Sequence, residues 1–229
     1  MSIPERLKAV RERIEAAADR AGRNPSAVRL VAVTKGFPAH VAIDAFRAGA
    51  IDLGENRAQE LREKAIAVTE PVRWHFIGHL QTNKARQVVG LATLIHSVDR
   101  LALAQEIARR ARNAGATQDV LIEVNVSGEP TKHGVEPARA VHLAEEADEL
   151  DGVRVRGFMT MAPLAEDPEA SRPYFSDLSE LRDRVRGVLP HVAELSMGMT
   201  RDFEVAVEEG ATLVRVGEAV FGPRGPSGG

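Results

Sequence analysis

Apolar residues along this chain fall into two alternating patterns. Short, almost unbroken runs rich in Val, Ile and Leu read as strands buried on both faces. Between them lie longer stretches whose apolar positions recur every three or four residues, the period of an amphipathic helix. The strand-like runs are Leu30–Thr34, Ile51–Gly54, Trp74–Gly78, Leu94–Val98, Val120–Val126, Val153–Phe158, Ala193–Met197 and Thr212–Val216. In the intervening stretches Val41, Ala45 and Phe46 share a helical face, with Gly49 as a stop. Leu61, Ala65 and Val68 share another. Asp99 stands where an N-cap is expected before Leu103, Ile107 and Ala111. Tyr174, Phe175, Leu178, Leu181 and Val185 form the strongest apolar stripe.

Strands that alternate with helices pair in parallel, because a parallel neighbour needs a crossover connection. Eight such units predict closure into a single (β/α)₈ barrel of the TIM type; an open doubly wound sheet has the same rhythm and is the other arrangement. An additional N-terminal helix precedes the first strand and places Ile3, Leu7, Val10, Ile14 and Ala17 on one face. The sequence stops soon after the eighth strand and shows no obvious eighth outer helix, so the N-terminal helix is expected to fill that gap. One domain is expected over residues 1–222, with 223–229, the end of GPRGPSGG, as a flexible C-terminal tail.

Composition narrows the class of function. The 229 residues are 44% hydrophobic and 28% charged, ordinary for a soluble globular protein. A net charge of -3 gives no footprint for nucleic acid or an anionic membrane. Cysteine is absent, which excludes disulfides, thiolate metal sites and a cysteine nucleophile. No apolar run approaches the roughly 20 residues that span a bilayer. The charged start MSIPERLKAVRERIEAAADRAG lacks the apolar core of a signal peptide, so a cytoplasmic location is expected.

Polar residues gather after the strands. Lys35 follows the first, Glu55, Asn56 and Arg57 the second, and His79, Gln81, Asn83 and Lys84 the third. Met159, Thr160 and Met161 follow the sixth; Ser196, Gly198 and Thr200 the seventh; Arg215, Gly217 and Glu218 the eighth. In a (β/α)₈ barrel these C-terminal strand ends form one shared mouth, where such proteins place their sites. A lysine directly after an apolar strand is either a snorkelling side chain or half of a structural ion pair, or an amine of lowered pKa that forms an imine with a carbonyl compound. SMGMT before a helical pattern offers N–H and O–H donors to an anion, or simply caps that helix. Gly217 would let backbone N–H groups approach the same anion. Arg215, within the last strand, is expected to be buried with a carboxylate partner such as Asp202 or Glu218. His75 and His79 are four residues apart, a spacing that converges on a helix but not across a strand end, so no metal site is expected. Lys132–Gly134 reads as a loop that could cover a bound ligand.

Taken in order, VAVTK, DLGENR, WHFIGHLQTNK, EVNVSGEPTKHG with Asn125, GFMTM, SMGMTRD and VRVGEAVFG resemble the pyridoxal phosphate homeostasis proteins, from about Leu30 to Gly222. The resemblance implies the barrel of the alanine racemase N-terminal domain and pyridoxal 5′-phosphate as cofactor, held as a Schiff base on Lys35. It implies that Ser196, Gly198, Thr200 and Gly217 surround the phosphate, that Asn56 and Met159 lie beside the ring, and that Arg215 faces the pyridine nitrogen. Thr200 stands where the family often has serine, with the hydroxyl retained. The resemblance further implies a monomer that serves intracellular vitamin B6 balance, with apo forms of cofactor-dependent enzymes as partners.

An arginine at the pyridine nitrogen donates a hydrogen bond but does not protonate the ring, so the electron sink is weak. A second catalytic base is not evident either, since the only tyrosine, Tyr174, sits in a helical pattern. The expectation is a carrier or buffer of the cofactor without substantial catalysis and without catalytic residues. Two enzymes remain as alternatives: a fold-type-III amino-acid racemase-like enzyme, and an aldolase-like barrel whose lysine works without cofactor.

Overall fold

The computed structural model describes residues 1–223, so all but the first residue of the expected tail at 223–229 lies outside the described residues. Eight strands form a closed, all-parallel barrel in sequence order. They are β1 (Arg29–Val33), β2 (Asp52–Glu55), β3 (Arg73–Phe76), β4 (Leu94–Val98), β5 (Gln118–Glu123), β6 (Val153–Met159), β7 (Glu194–Ser196) and β8 (Leu213–Val216). Closure comes from β8 pairing with β1, with Leu30 opposite Val214 and Ala32 opposite Val216. The open-sheet arrangement is thereby excluded.

Side chains along each strand alternate between the barrel interior and the helical shell. Outward residues such as Leu53, Phe76, Ile122, Phe158 and Val214 join the helices in one large core. Val31, Leu94, Leu121, Met159 and Leu213 form a separate, smaller apolar cluster inside the barrel. Inward positions also carry Asp52, His75, His96, Ser196 and Arg215, all buried. Such residues are tolerated in a closed barrel only where they satisfy one another.

The outer shell holds α1 (Ile3–Arg20), α2 (Ala39–Arg47), α3 (Ala58–Ala67), α4 (Leu101–Asn113), α5 (Pro137–Asp148), α6 (Arg172–Arg186), α7 (Phe203–Glu208) and α8 (Glu218–Phe221). A 3₁₀ segment at Thr82–Gln87 replaces a helix between β3 and β4. Where no eighth helix was expected there is a single turn, α8. It is too short to cover the barrel alone, and α1 packs across both α7 and α8. Leu7, Val10, Ile14 and Ala17 of α1 are buried there, as its apolar face predicted. The expected N-cap at Asp99 falls one residue early: the cap position of α4 is Arg100. Asp99 instead faces His79, 3.5 Å away, and pairs with Arg100. Strand β5 stops at Glu123, short of the expected Val126. Val124 bridges to Val135, which folds the intervening loop back on the barrel.

Candidate functional site

A cavity of about 800 Å³ opens at the C-terminal ends of the strands. Its wall includes Lys35 after β1, Asn56 after β2, His79 after β3, Glu123 at the end of β5, Met161 after β6, Thr200 after β7, and Arg215 and Gly217 of the β8 segment. The mouth therefore draws on almost every strand.

The turn that carries Lys35 is braced from below. Lys64 of α3 reaches inward, and its Nζ donates to the Thr34 carbonyl at 2.7 Å and to Glu55 Oε1 at 2.5 Å. The Thr34 hydroxyl donates to the same carboxylate oxygen at 2.5 Å. The Gly36 N–H donates to Glu60 Oε2 at 3.0 Å. Burial pushes the Glu55 carboxyl up, against the opposing pull of Lys64 and Thr34. Glu55, one of the polar residues expected at the mouth, is thus a buried support for Lys35 and forms no part of the cavity wall. Lys35 itself is half-buried at that wall.

Across the mouth, Arg215 is 4% exposed. The carboxylate partner expected for it is not Asp202 or Glu218. Arg215 Nη1 donates to Ser196 Oγ at 2.5 Å and Nη2 to the Thr160 carbonyl at 2.9 Å. Burial lowers its pKa to about 10, with Glu123 and Asp202 opposing, so it is cationic at neutral pH. Glu123 is 3% exposed and its Oε2 has no hydrogen-bond partner among the described residues. Burial and the nearby Asp99 carboxylate push Glu123 up to about 7, and Arg215 pulls the other way.

The folded-back loop closes one side of the cavity. Asn125 Nδ2 donates to the Glu129 carbonyl at 2.9 Å, and the His133 ring stacks on His79 with centroids 4.0 Å apart. His133 thus covers part of the mouth, as the loop reading of Lys132–Gly134 anticipated. Burial, then the neighbouring His133, lower the pKa of His79. His79, Asp99 and His133 each offer an atom within 4.8 Å of the others. The two rings lie only 15° from parallel, however, so their in-plane lone pairs run side by side and do not meet at a common ion.

Residues 6–225 match the family described as alanine racemase, N-terminal domain. The pyridoxal phosphate homeostasis protein of Aquifex aeolicus is 49% identical over 229 residues, covering 98% of this chain and 99% of that one. The chain belongs to the pyridoxal phosphate homeostasis protein family. Among solved structures, PipY of Synechococcus elongatus with PLP bound is similar at a TM-score of 0.84 and 35% identity, covering 96% of this chain and 100% of that one. Alanine racemase of Clostridium difficile shares the fold at a TM-score of 0.78 and 16% identity, covering 99% of this chain and 58% of that one.

Of the residues that the family resemblance singled out, Lys35, Asn56, Thr200, Arg215 and Gly217 line the one cavity. Met159, Ser196 and Gly198 do not. Met159 lies beneath the floor in the inner apolar cluster, and the methionine on the wall is Met161. The Ser196 hydroxyl is fully buried between Arg215 and His96. Gly198, at φ +87°, lets its loop press on α7: an added Cβ would lie 2.5 Å from Ala206 Cβ. Gln81, Asn83 and Lys84 are exposed and outside the wall. The family reading passed over Glu123 and His133. The rule that found Lys35, a charge at the C-terminal end of an apolar run, applies equally to Glu123 in VLIE.

Proposed function

We propose that this chain binds pyridoxal 5′-phosphate in the mouth of its barrel, with Lys35 as the point of covalent attachment, and serves as an intracellular carrier or buffer of the cofactor in vitamin B6 balance. One observation carries this reading: Lys35, Thr200, Arg215 and Gly217 line a single cavity although they are far apart in sequence. When bound, the cofactor supplies an aldehyde that condenses with primary amines and a ring that withdraws electrons from the adduct.

The residues fit that group. Arg215 offers a fixed, charged donor suited to the unprotonated pyridine nitrogen. Thr200 and the Gly217 backbone supply polar contacts for a phosphate on the β7–β8 side, next to β1 and Lys35. Asn56 borders the ring from β2. Ser196, Gly198 and Met159 act from behind: Ser196 orients Arg215, Gly198 shapes the loop, and Met159 underpins the floor. Asp202 limits the anion site, because its carboxylate already accepts the Met199 N–H at 2.7 Å and the Ser171 hydroxyl at 3.1 Å. The protein acts as a monomer in the cytoplasm, releasing the cofactor to apo-enzymes. The apolar face of α1 is consumed by its own barrel, which supports the monomer. No helix among the described residues is long and apolar enough to cross a membrane.

The test is a visible absorption spectrum of wild type and Lys35→Ala after addition of pyridoxal phosphate, followed by borohydride reduction and peptide mapping. Wild type alone is expected to show an imine band, with the reduced adduct on Lys35. Adducts scattered over surface lysines would remove the site. Incubation with amino acids in deuterated water checks the carrier role; Lys35-dependent α-proton exchange at turnover rates would replace it with the racemase-like reading.

A further inference from the structure

Polar side chains from five strands form one unbroken line through the barrel interior. It starts at Arg215 on the cavity wall, whose Nη1 donates to Ser196 Oγ at 2.5 Å. Ser196 Oγ lies 2.8 Å from His96 Nδ1, and His96 Nε2 lies 2.9 Å from His75 Nδ1. His75 Nε2 lies 2.9 Å from Asp52 Oδ1, and Asp52 Oδ2 accepts from Arg73 Nη2 at 2.6 Å. Asp52 also borders a groove of about 610 Å³ at the opposite, N-terminal end of the strands. The line therefore joins the two ends of the barrel.

Its two ends fix its direction. A guanidinium only donates, and an ionised carboxylate only accepts. With both rings neutral, His75 carries its proton on Nε2 and accepts at Nδ1. His96 then donates from Nε2 and accepts at Nδ1 from the Ser196 hydroxyl, whose oxygen accepts from Arg215. Every bond from Arg215 to Asp52 points from the mouth to the base, and Arg73 donates to Asp52 from the far side. An extra proton on His75 Nδ1 would set two donors face to face across the His75–His96 contact, and one on His96 Nδ1 would oppose the Ser196 hydroxyl, so in either case a bond of the line would have to reverse or break. The surroundings oppose that proton. Burial lowers both histidines, His96 well below the ordinary value; His75, Arg215 and Arg29 lower His96 further, whereas Asp52 pulls His75 back up against burial, Arg29 and Arg73. The charged groups facing the line are Arg29, Arg73 and Asp52 towards the base, and Arg215 and Glu123 towards the mouth. Asp52 stays ionised: burial pushes its carboxyl up, but the His75 and Arg73 hydrogen bonds outweigh burial and hold it below the usual range.

We propose that Asp52, His75 and His96 are positioning residues for the cofactor site, holding Arg215 through a one-way line of hydrogen bonds anchored at the far end of the barrel. They touch no ligand and act only through Ser196 and Arg215. The inference rests on the reading that the mouth binds pyridoxal phosphate, but the tautomers it requires belong to the cofactor-free protein.

The first measurement is a long-range ¹H–¹⁵N correlation spectrum of the cofactor-free protein, reading the imidazoles of His75 and His96. Both are expected as neutral Nε2–H tautomers at neutral pH. An Nδ1–H tautomer or a cationic ring at either position overturns the proposal without any variant. The second is Asp52→Asn, with Ser196→Ala alongside in case the first variant folds poorly. Each is expected to shift the Arg215 side-chain ¹⁵N signals, weaken pyridoxal phosphate uptake about fivefold and move the absorption band of the bound cofactor. Unchanged Arg215 signals, affinity and band in a folded variant overturn it. If wild type takes up no pyridoxal phosphate, the cofactor reading fails separately, and the line of tautomers is still judged by the spectra.

Discussion

Glu123 shows how a single buried side chain couples stability to pH. Its pKa is raised to about 7 in the folded protein from an ordinary 4.5, with burial the leading cause. A raised carboxyl is tolerated when protonated and penalised when ionised. Its unfavourable effect is therefore absent below about pH 4.5, grows as pH rises, and is complete above about pH 7. Glu123→Gln removes the ionisation. The variant is expected to gain stability over wild type as pH rises from 5 to 8, by on the order of 3 kcal/mol at the upper end. Urea denaturation at several pH values checks this; a pH-independent difference would show that Glu123 ionises freely.

The turn that presents Lys35 is held by three elements acting together. Thr34 directly follows β1, β2 contributes Glu55 and α3 contributes Lys64, whose side chain is 7% exposed. Burying an ion pair is costly, and the geometry recovers that cost through the additional bonds to Thr34. Breaking one side is worse than losing both, because a charge is left buried without its partner. Lys64→Met is expected to destabilise the protein by about 3–5 kcal/mol, measured as a drop in the denaturation midpoint. The double variant Lys64→Met with Glu55→Leu should recover part of that loss, since it leaves no uncompensated charge. Equal losses in the single and double variants would mean that the brace acts by packing alone.

At the scale of the molecule, the barrel needs α1 to complete its outer ring because α8 is only one turn long. Apolar burial and ion pairs both hold α1. Leu7, Val10 and Ile14 are buried, whereas Arg13–Glu204 and Arg20–Glu208 are partly exposed ion pairs with α7. Exposed pairs contribute about 0.2–1 kcal/mol each, and truncating a buried leucine costs about 2–5 kcal/mol. Leu7→Ala is therefore expected to lower stability several times more than Glu204→Gln in thermal unfolding. The reverse order would mean that α1 is held electrostatically.

Much of this architecture was legible in the chain. Short apolar runs and period-3.6 patterning are local consequences of strand and helix geometry, so eight strands, their order and the apolar face of α1 could be read directly, with errors of up to three residues at the ends. Lys35, Arg215 and Gly217 were legible too, because in a barrel the residues at C-terminal strand ends must converge. Partnership was not. Nothing local paired Glu55 in LGENR with Lys64 of α3, or paired Arg215 with a serine and a carbonyl in place of a carboxylate. Asp52, His75 and His96 read as ordinary strand positions until closure brought their inward faces together. Sequence by itself determined that neighbouring strand residues face opposite ways, because alternation is set by the strand. Only tertiary closure decided which inward residues touch, because those contacts depend on register across strands distant in the chain.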